Sequence, residues 1–164
     1  MKHKGFTFIE LVLYLAIVTT VMGALVLFAW RIIGSGAKSA TEQEVFSAAR
    51  YASERIKYEI RNASGVNSVA SNSISLASTN GAQNPTVIDL SGGKIRVKYG
   101  ASAAININST DTNVSSLTFT NYSSLDNKTK NIQFSFTLDS NYNTVAQEYV
   151  ESTSIRGDAE LRSN

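Results

Sequence analysis

The chain contains no cysteine, one histidine and one proline among its 164 residues. Without cysteine, the protein has neither disulfide bonds nor thiolate metal sites. Charge is also balanced, because fifteen Lys and Arg residues face thirteen Asp and Glu residues and leave a net charge of +2. A balance of this kind gives no support for nucleic-acid binding by bulk charge. The length suits one domain together with a long helix.

The longest feature is an apolar run from Leu11 to Trp30, which contains no charged residue. As an α-helix rising about 1.5 Å per residue, this run would be roughly 30 Å long, which is the thickness of a bilayer's hydrocarbon core. A short basic head that includes Lys2 and Lys4 precedes it. Glu10 stands directly before the run, where inserting a carboxylate costs on the order of 3 kcal/mol or more. Glu10 therefore needs a partner.

Such a partner would appear if the chain were cut after Gly5. The new amine of Phe6 would then stand four residues before Glu10, on the same face of a helix. Glu10 would also lie in the first helical turn, where the helix dipole favours a negative charge.

The segment Lys4-Gly5-Phe6-Thr7-Phe8-Ile9-Glu10, followed by an apolar run, resembles the processing motif of type IV pilins and type II secretion pseudopilins. The resemblance implies that a prepilin peptidase cuts between Gly5 and Phe6 and methylates the amine of Phe6. It also implies that Glu10 meets the amine of a neighbouring subunit during assembly. An ordinary secretory signal fits less well, because its apolar region is shorter and needs no acid at its start.

Beyond Trp30 the helix is expected to continue as an amphipathic segment to about Asn62. Its apolar residues fall at spacings of three or four and form one stripe that would pack on a sheet; they are Val45, Ala49, Ala52, Ile56 and Ile60. Gly34-Ser35-Gly36 lowers helix propensity by about 1 kcal/mol per glycine relative to alanine. Two interpretations of these glycines stay open: a bend within one helix, or a helix end followed by a second helix.

The rest of the chain is rich in Ser, Thr and Asn, and its apolar residues alternate with the period of two that is typical of strands. The alternating runs are Ile74–Leu76, Val87–Leu90, Ile95–Tyr99, Ile105–Ile107, Leu117–Phe119 and Ile132–Leu138. A hairpin is expected across Ser91-Gly92-Gly93, a last strand from Val145 to Ile155, and a frayed tail from Gly157 to Asn164. Sequential strands with short turns predict an antiparallel sheet, one face of which the helix stripe can cover.

The predicted fold is therefore α+β and pilin-like: a long N-terminal helix, with an apolar transmembrane half and an amphipathic half, packed on an antiparallel β-sheet. We expect a cleaved basic leader at 1–5 and a transmembrane or filament-core helix at 6–30. The amphipathic helix would follow at 31–62, and the sheet domain at 63–164.

Few residues in the sequence could support catalysis. Cleavage would remove His3, the only histidine, and would leave no Ser-His-Asp triad, no cysteine nucleophile and none of the usual zinc ligand sets. Most acidic residues lie in polar stretches, where a solvated carboxylate is the simpler interpretation. The spacing around Asp126-Asn127 matches no calcium motif. We accordingly expect no enzyme, no cofactor and no metal site.

The resemblance implies a filament subunit, of a type IV pilus or of a type II secretion or DNA-uptake pseudopilus. The expected partners are other pilins or pseudopilins, a prepilin peptidase and inner-membrane assembly machinery. Before assembly the subunit would be a single-pass protein of the cytoplasmic membrane; afterwards it would lie in a cell-surface or periplasmic filament. The alternative is an uncleaved single-pass anchor that carries an extracytoplasmic binding domain.

Two features favour a minor subunit over a major one. The segment from Arg55 to Ala63 resembles the helix end of J-type pseudopilins and W-type minor pilins. In addition, the run from Leu11 to Trp30 lacks the proline that major pilins usually carry in this helix.

Overall fold

The computed structural model describes residues 5–124, 129–142 and 146–162. A single helix, α1, spans Phe8–Asn62, and strands follow it. The strands of the described residues are β1 Gly65–Ala70, β2 Ser73–Ala77, β3 Thr86–Ser91, β4 Lys94–Tyr99, β5 Ile105–Asn106, β6 Thr112–Asn121, β7 Asn131–Ser140 and β8 Ser152–Glu160. Gly81–Gln83 and Gln147–Tyr149 form short 3₁₀ helices. The predicted α+β class is confirmed.

Helix α1 runs without interruption for 55 residues and passes through Gly34 and Gly36. The alternative of two separate helices is therefore wrong. A Cβ added at either glycine would meet open space, so the fold of this chain does not itself require glycine there. A bend at these glycines stays a prediction.

The amphipathic half of α1 buries the stripe that the sequence predicts. Its five members, Val45, Ala49, Ala52, Ile56 and Ile60, are each at most 1% exposed. Ser53 and Glu59 are buried beside them. The 3.6-residue period of the apolar positions thus identified the face of the helix that packs on the sheets.

The strands divide between two antiparallel sheets, where the sequence predicts one. Strands β1 to β5 form one sheet in sequential order, and β6, β7 and β8 form the other. Backbone hydrogen bonds join the sheets where β6 meets the turns of the first sheet: Phe119 N donates to Ser71 O at 3.0 Å, and Val114 N donates to Gly93 O at 2.9 Å.

The predicted hairpin joins β3 to β4, with Ser91 paired to Lys94. Gly92 and Gly93 between them have φ angles of 58° and 70°. Positive φ at both central residues is the geometry of a type I′ turn, which glycine adopts without steric cost. The hairpin is confirmed.

The C-terminal strand differs from its prediction at both ends. Gln147–Tyr149 is a 3₁₀ helix, and β8 begins only at Ser152. The tail prediction is wrong for Gly157 to Glu160, because these residues pair with β7 as far as the Asn131–Glu160 pair. Backbone pairing orders this segment although its side chains are mostly polar. Val145 and the Asp126-Asn127 pair lie outside the described residues.

Candidate functional site at the N-terminus

The motif residues lie at the start of α1. Gly5, Phe6 and Thr7 precede the helix in non-helical conformation. Thr7 is the N-cap: its side chain accepts a hydrogen bond from Glu10 N at 3.3 Å, and its carbonyl accepts one from Leu11 N at 3.2 Å. Such a cap satisfies backbone donors that have no partner within the helix. Thr7 therefore caps the helix at Phe8, three residues after Gly5.

Glu10 lies in the first turn of α1, as predicted. A carboxylate there interacts favourably with the positive end of the helix dipole. Thr7-Phe8-Ile9-Glu10 also has the Ser/Thr-x-x-Glu pattern of a capping box. This pattern in the sequence would have predicted the cap at Thr7, which was not among the expectations above.

Gly5 is exposed, and a Cβ added there would meet no atom within 4 Å. The fold of this chain therefore does not require glycine at this position. A requirement for glycine would have to come from a protein that binds the segment.

Phe6 contacts the helix through its ring. Its centroid lies 5.9 Å from that of Tyr14, and the two ring planes are tilted by 59°. No local pattern predicts this contact, because the partners are separated in sequence and Phe6 lies outside the helix. The contact places the Phe6 side chain, which precedes the N-cap, against the surface of α1.

Apart from the Phe6 ring against Tyr14, we find no part of the described chain packed on the apolar half of α1. Each large apolar side chain of this half is exposed, and together they run from Phe8 to Ile33. The helix is long and apolar enough to cross a membrane. Membrane burial, or burial among other helices, would remove this surface from water.

Residues 1–26 match the family model described as the prokaryotic N-terminal methylation motif. This prepilin-type motif, the long apolar helix and the β-sheets are together consistent with a type IV pilin-like protein. The motif supports a type IV pilin-like precursor, which is a structural subunit and not usually an enzyme. It implies processing by a prepilin peptidase and assembly with other pilins, and the apolar helix fits membrane anchoring before assembly. No curated protein and no solved structure shows significant similarity to the chain.

Across the described residues, no three His, Asp or Glu side chains come together as a metal-binding set. This does not test the expectations of no cofactor and no metal site, which stay predictions.

Proposed function

We propose that this chain is a subunit of a type IV pilus or of a type II secretion or DNA-uptake pseudopilus. In this proposal it is cleaved after Gly5, methylated on the Phe6 amine, and assembled through its apolar helix and Glu10. One observation carries the proposal: the methylation motif, residues 1–26, includes most of a helical half whose large apolar side chains are all left exposed by the chain's own fold.

The exposed apolar half of α1 is suited to a bilayer before assembly and to a bundle of helices after it. Apolar surface gains about 25 cal/mol per Å² when it leaves water, so this helix is stable in a bilayer first and in a bundle of like helices later. A head-to-tail contact that does not close on itself generates a helical filament. The sheet domain, packed on the second half of α1, would then lie on the outside of that filament.

Cleavage adds water across the Gly5–Phe6 amide, leaving a carboxylate on Gly5 and an amine on Phe6. The peptidase then transfers a methyl group from its own methyl donor to that amine. A protonated amine in the dry interior of a bundle needs an anionic partner, and Glu10 is the acid nearest to it along the chain. Pairing Glu10 with the amine of a neighbouring subunit would set the axial register of the helices, as buried polar contacts do in coiled coils.

The test is the intact mass of the protein extracted from membranes. We expect a chain that begins at Phe6 and carries one additional methyl group. Gly5→Leu is the matched variant: it leaves the fold unchanged, since Gly5 meets nothing, but should block cleavage. A mature wild-type protein that retains Met1 to Gly5 would support the alternative, an uncleaved membrane anchor with an extracytoplasmic binding domain.

We also propose that the subunit is a minor one. The helix end from Arg55 to Ala63 and the absence of proline from Leu11 to Trp30 support this role. In the group of J-type pseudopilins and W-type minor pilins, the tip subunit typically lacks the acid that corresponds to Glu10. A subunit that keeps this acid should therefore lie beneath another subunit in the filament. Quantitative mass spectrometry of sheared filaments should find this chain at low copy number. If it is the most abundant pilin there, the minor role is wrong and the filament role stands.

A further inference from the structure

The ring contact between Phe6 and Tyr14 links the cleavage segment to the helix. Gly5 and Phe6 precede the N-cap at Thr7, so the direction in which they leave the helix is not set by helical hydrogen bonds. The Phe6 ring, at 5.9 Å from Tyr14 and tilted by 59°, has the geometry that aromatic pairs prefer. Tyr14 and Glu10 are four residues apart and therefore share one face of α1.

We propose that Tyr14 is a positioning residue for the processing of this chain. By holding the Phe6 ring against the helix, Tyr14 limits the orientations of the Gly5–Phe6 peptide bond that is offered to the peptidase. The proposal rests on the proposed function, because it assumes that this bond is hydrolysed. Tyr14 takes no part in the chemistry: water adds to the Gly5 carbonyl carbon, the C–N bond breaks, and the leaving nitrogen of Phe6 takes up a proton.

The effect should be that of one aromatic pair. An aromatic contact shifts a conformational population by about twofold to tenfold. We therefore expect loss of the Tyr14 ring to slow leader removal by about the same factor at low substrate concentration. The hydroxyl of Tyr14 is not needed for ring packing, so Tyr14→Phe should be cleaved at the wild-type rate.

The experiment measures the initial rate of leader release from the full precursor, embedded in membranes together with its prepilin peptidase. The variants are Tyr14→Leu, which keeps an apolar side chain but removes the ring, and Tyr14→Phe, which keeps the ring. Leu15→Ala is the control for general effects on the apolar helix, because Leu15 lies on a different face and is likewise exposed. A further pair, Phe6→Leu alone and with Tyr14→Leu, tests the coupling of the two rings.

We expect Tyr14→Leu to be slow, Tyr14→Phe and Leu15→Ala to be unchanged, and Tyr14→Leu to have no further effect once Phe6 is Leu. Wild-type cleavage rates in Tyr14→Leu would overturn the inference while leaving the proposed function intact. Equal slowing in Leu15→Ala, or additive slowing in the double variant, would also overturn it. A wild-type precursor that is not cleaved at all would instead refute the proposed function on which the inference rests.

Discussion

The Tyr99 hydroxyl donates a hydrogen bond of 2.5 Å to the carboxylate of Glu59, and so joins the last turns of α1 to strand β4. Arg55 completes the group, since its Nη2 donates to Tyr99 Oη at 2.6 Å and lies 3.0 Å from Glu59 Oε1. The Glu59 side chain is only 8% exposed. A buried carboxylate is costly unless it is paired, so this group helps to fix how α1 lies on the first sheet.

The domain that contains this group should fold without the apolar half of α1. None of the described residues before Thr41 is buried, so a fragment that begins at Ala37 keeps all of the core that the structure describes. We expect the fragment that begins at Ala37 to be soluble and monomeric, with a helical and β-rich circular dichroism spectrum. Size-exclusion chromatography and thermal unfolding check this; a fragment that aggregates or unfolds without cooperativity would contradict it.

Tyr99→Phe should destabilise that fragment by about 1–3 kcal/mol, because Glu59 loses a hydrogen-bond donor in a buried setting. The cost should stay below that of an unpaired charge, since Arg55 still contacts Glu59. Tyr122→Phe is the matched control, as Tyr122 is 59% exposed. Urea unfolding at neutral pH measures both; equal stability of the two variants would show that the Tyr99 hydroxyl contributes nothing.

The same hydroxyl should make stability fall at alkaline pH. Burial raises the pKa of Tyr99 above its ordinary value of 10.0, and the hydrogen bond to Glu59 raises it further. Above that ordinary value, the unfolded chain loses the Tyr99 proton while the folded chain retains it, so unfolding becomes more favourable as pH rises. The advantage of wild type over Tyr99→Phe should therefore be complete below pH 10.0 and shrink as the pH passes through the raised pKa. A difference that is constant with pH would contradict this.

The second sheet is held by two phenylalanines of β7. Phe134 and Phe136 are both buried, at 0% and 1% exposure, and their stacked rings lie 6.3 Å apart. Replacing either with Ala should cost about 3 kcal/mol or more, since it removes buried apolar atoms and leaves a cavity. Phe46→Ala is the control, because Phe46 is 55% exposed on α1. Thermal unfolding should separate the two classes clearly; wild-type stability in both β7 variants would mean that their burial contributes little.

Lys94, at the start of β4, organises the loop that leads to β6. Its ammonium donates to the carbonyls of Ser109 and Thr112, each at 2.5 Å, and more weakly to Thr110 at 3.4 Å. Hydrogen bonds from charged donors contribute more than neutral ones, so Lys94→Met should lower stability by about 1–3 kcal/mol. Lys98→Met is the control on the same face of β4, where the side chain is exposed. Equal unfolding midpoints for the two variants would contradict the role of Lys94.

Local patterns explain which parts of the fold the sequence could predict. The helix stripe and the hairpin were readable because periods of 3.6 and two, and glycines at a turn, are properties of neighbouring residues. The two-sheet partition and the length of β8 depend on pairing between distant strands, and β8 is mostly polar outside Ala159. The Glu59–Tyr99 hydrogen bond joins residues forty positions apart, which no local pattern predicts.

At the candidate site, too, local patterns predict some features, and others depend on the three-dimensional fold. Gly5, Phe6 and Glu10 form a linear motif, so their positions could be predicted, and their roles stay predictions. The cap at Thr7 could also have been predicted, from the capping-box pattern that Thr7 forms with Glu10. The Phe6–Tyr14 contact depends on how the chain enters the helix, which is a three-dimensional property.

The last prediction separates processing from assembly through Glu10. Under the proposed function Glu10 serves the contact between subunits and not cleavage. Glu10→Val removes a costly acid from the membrane, so insertion and cleavage should proceed normally. In the filament, however, the amine of a neighbouring subunit would lose its anionic partner in a dry interior. We therefore expect a cleaved protein that is absent from sheared filaments, as measured by mass spectrometry of the membrane and filament fractions.

Glu54→Val is the matched control for Glu10→Val, because Glu54 lies on the same helix outside the apolar half. Its carboxylate pairs with Lys57 at 2.9 Å on the exposed surface, and such pairs contribute little to stability. Glu54→Val should enter filaments nearly as well as wild type, which ties the defect to the position of Glu10 rather than to loss of any helical acid. Normal incorporation of Glu10→Val would refute the assembly role of Glu10. Uncleaved Glu10→Val in the membrane fraction would show that Glu10 serves processing instead.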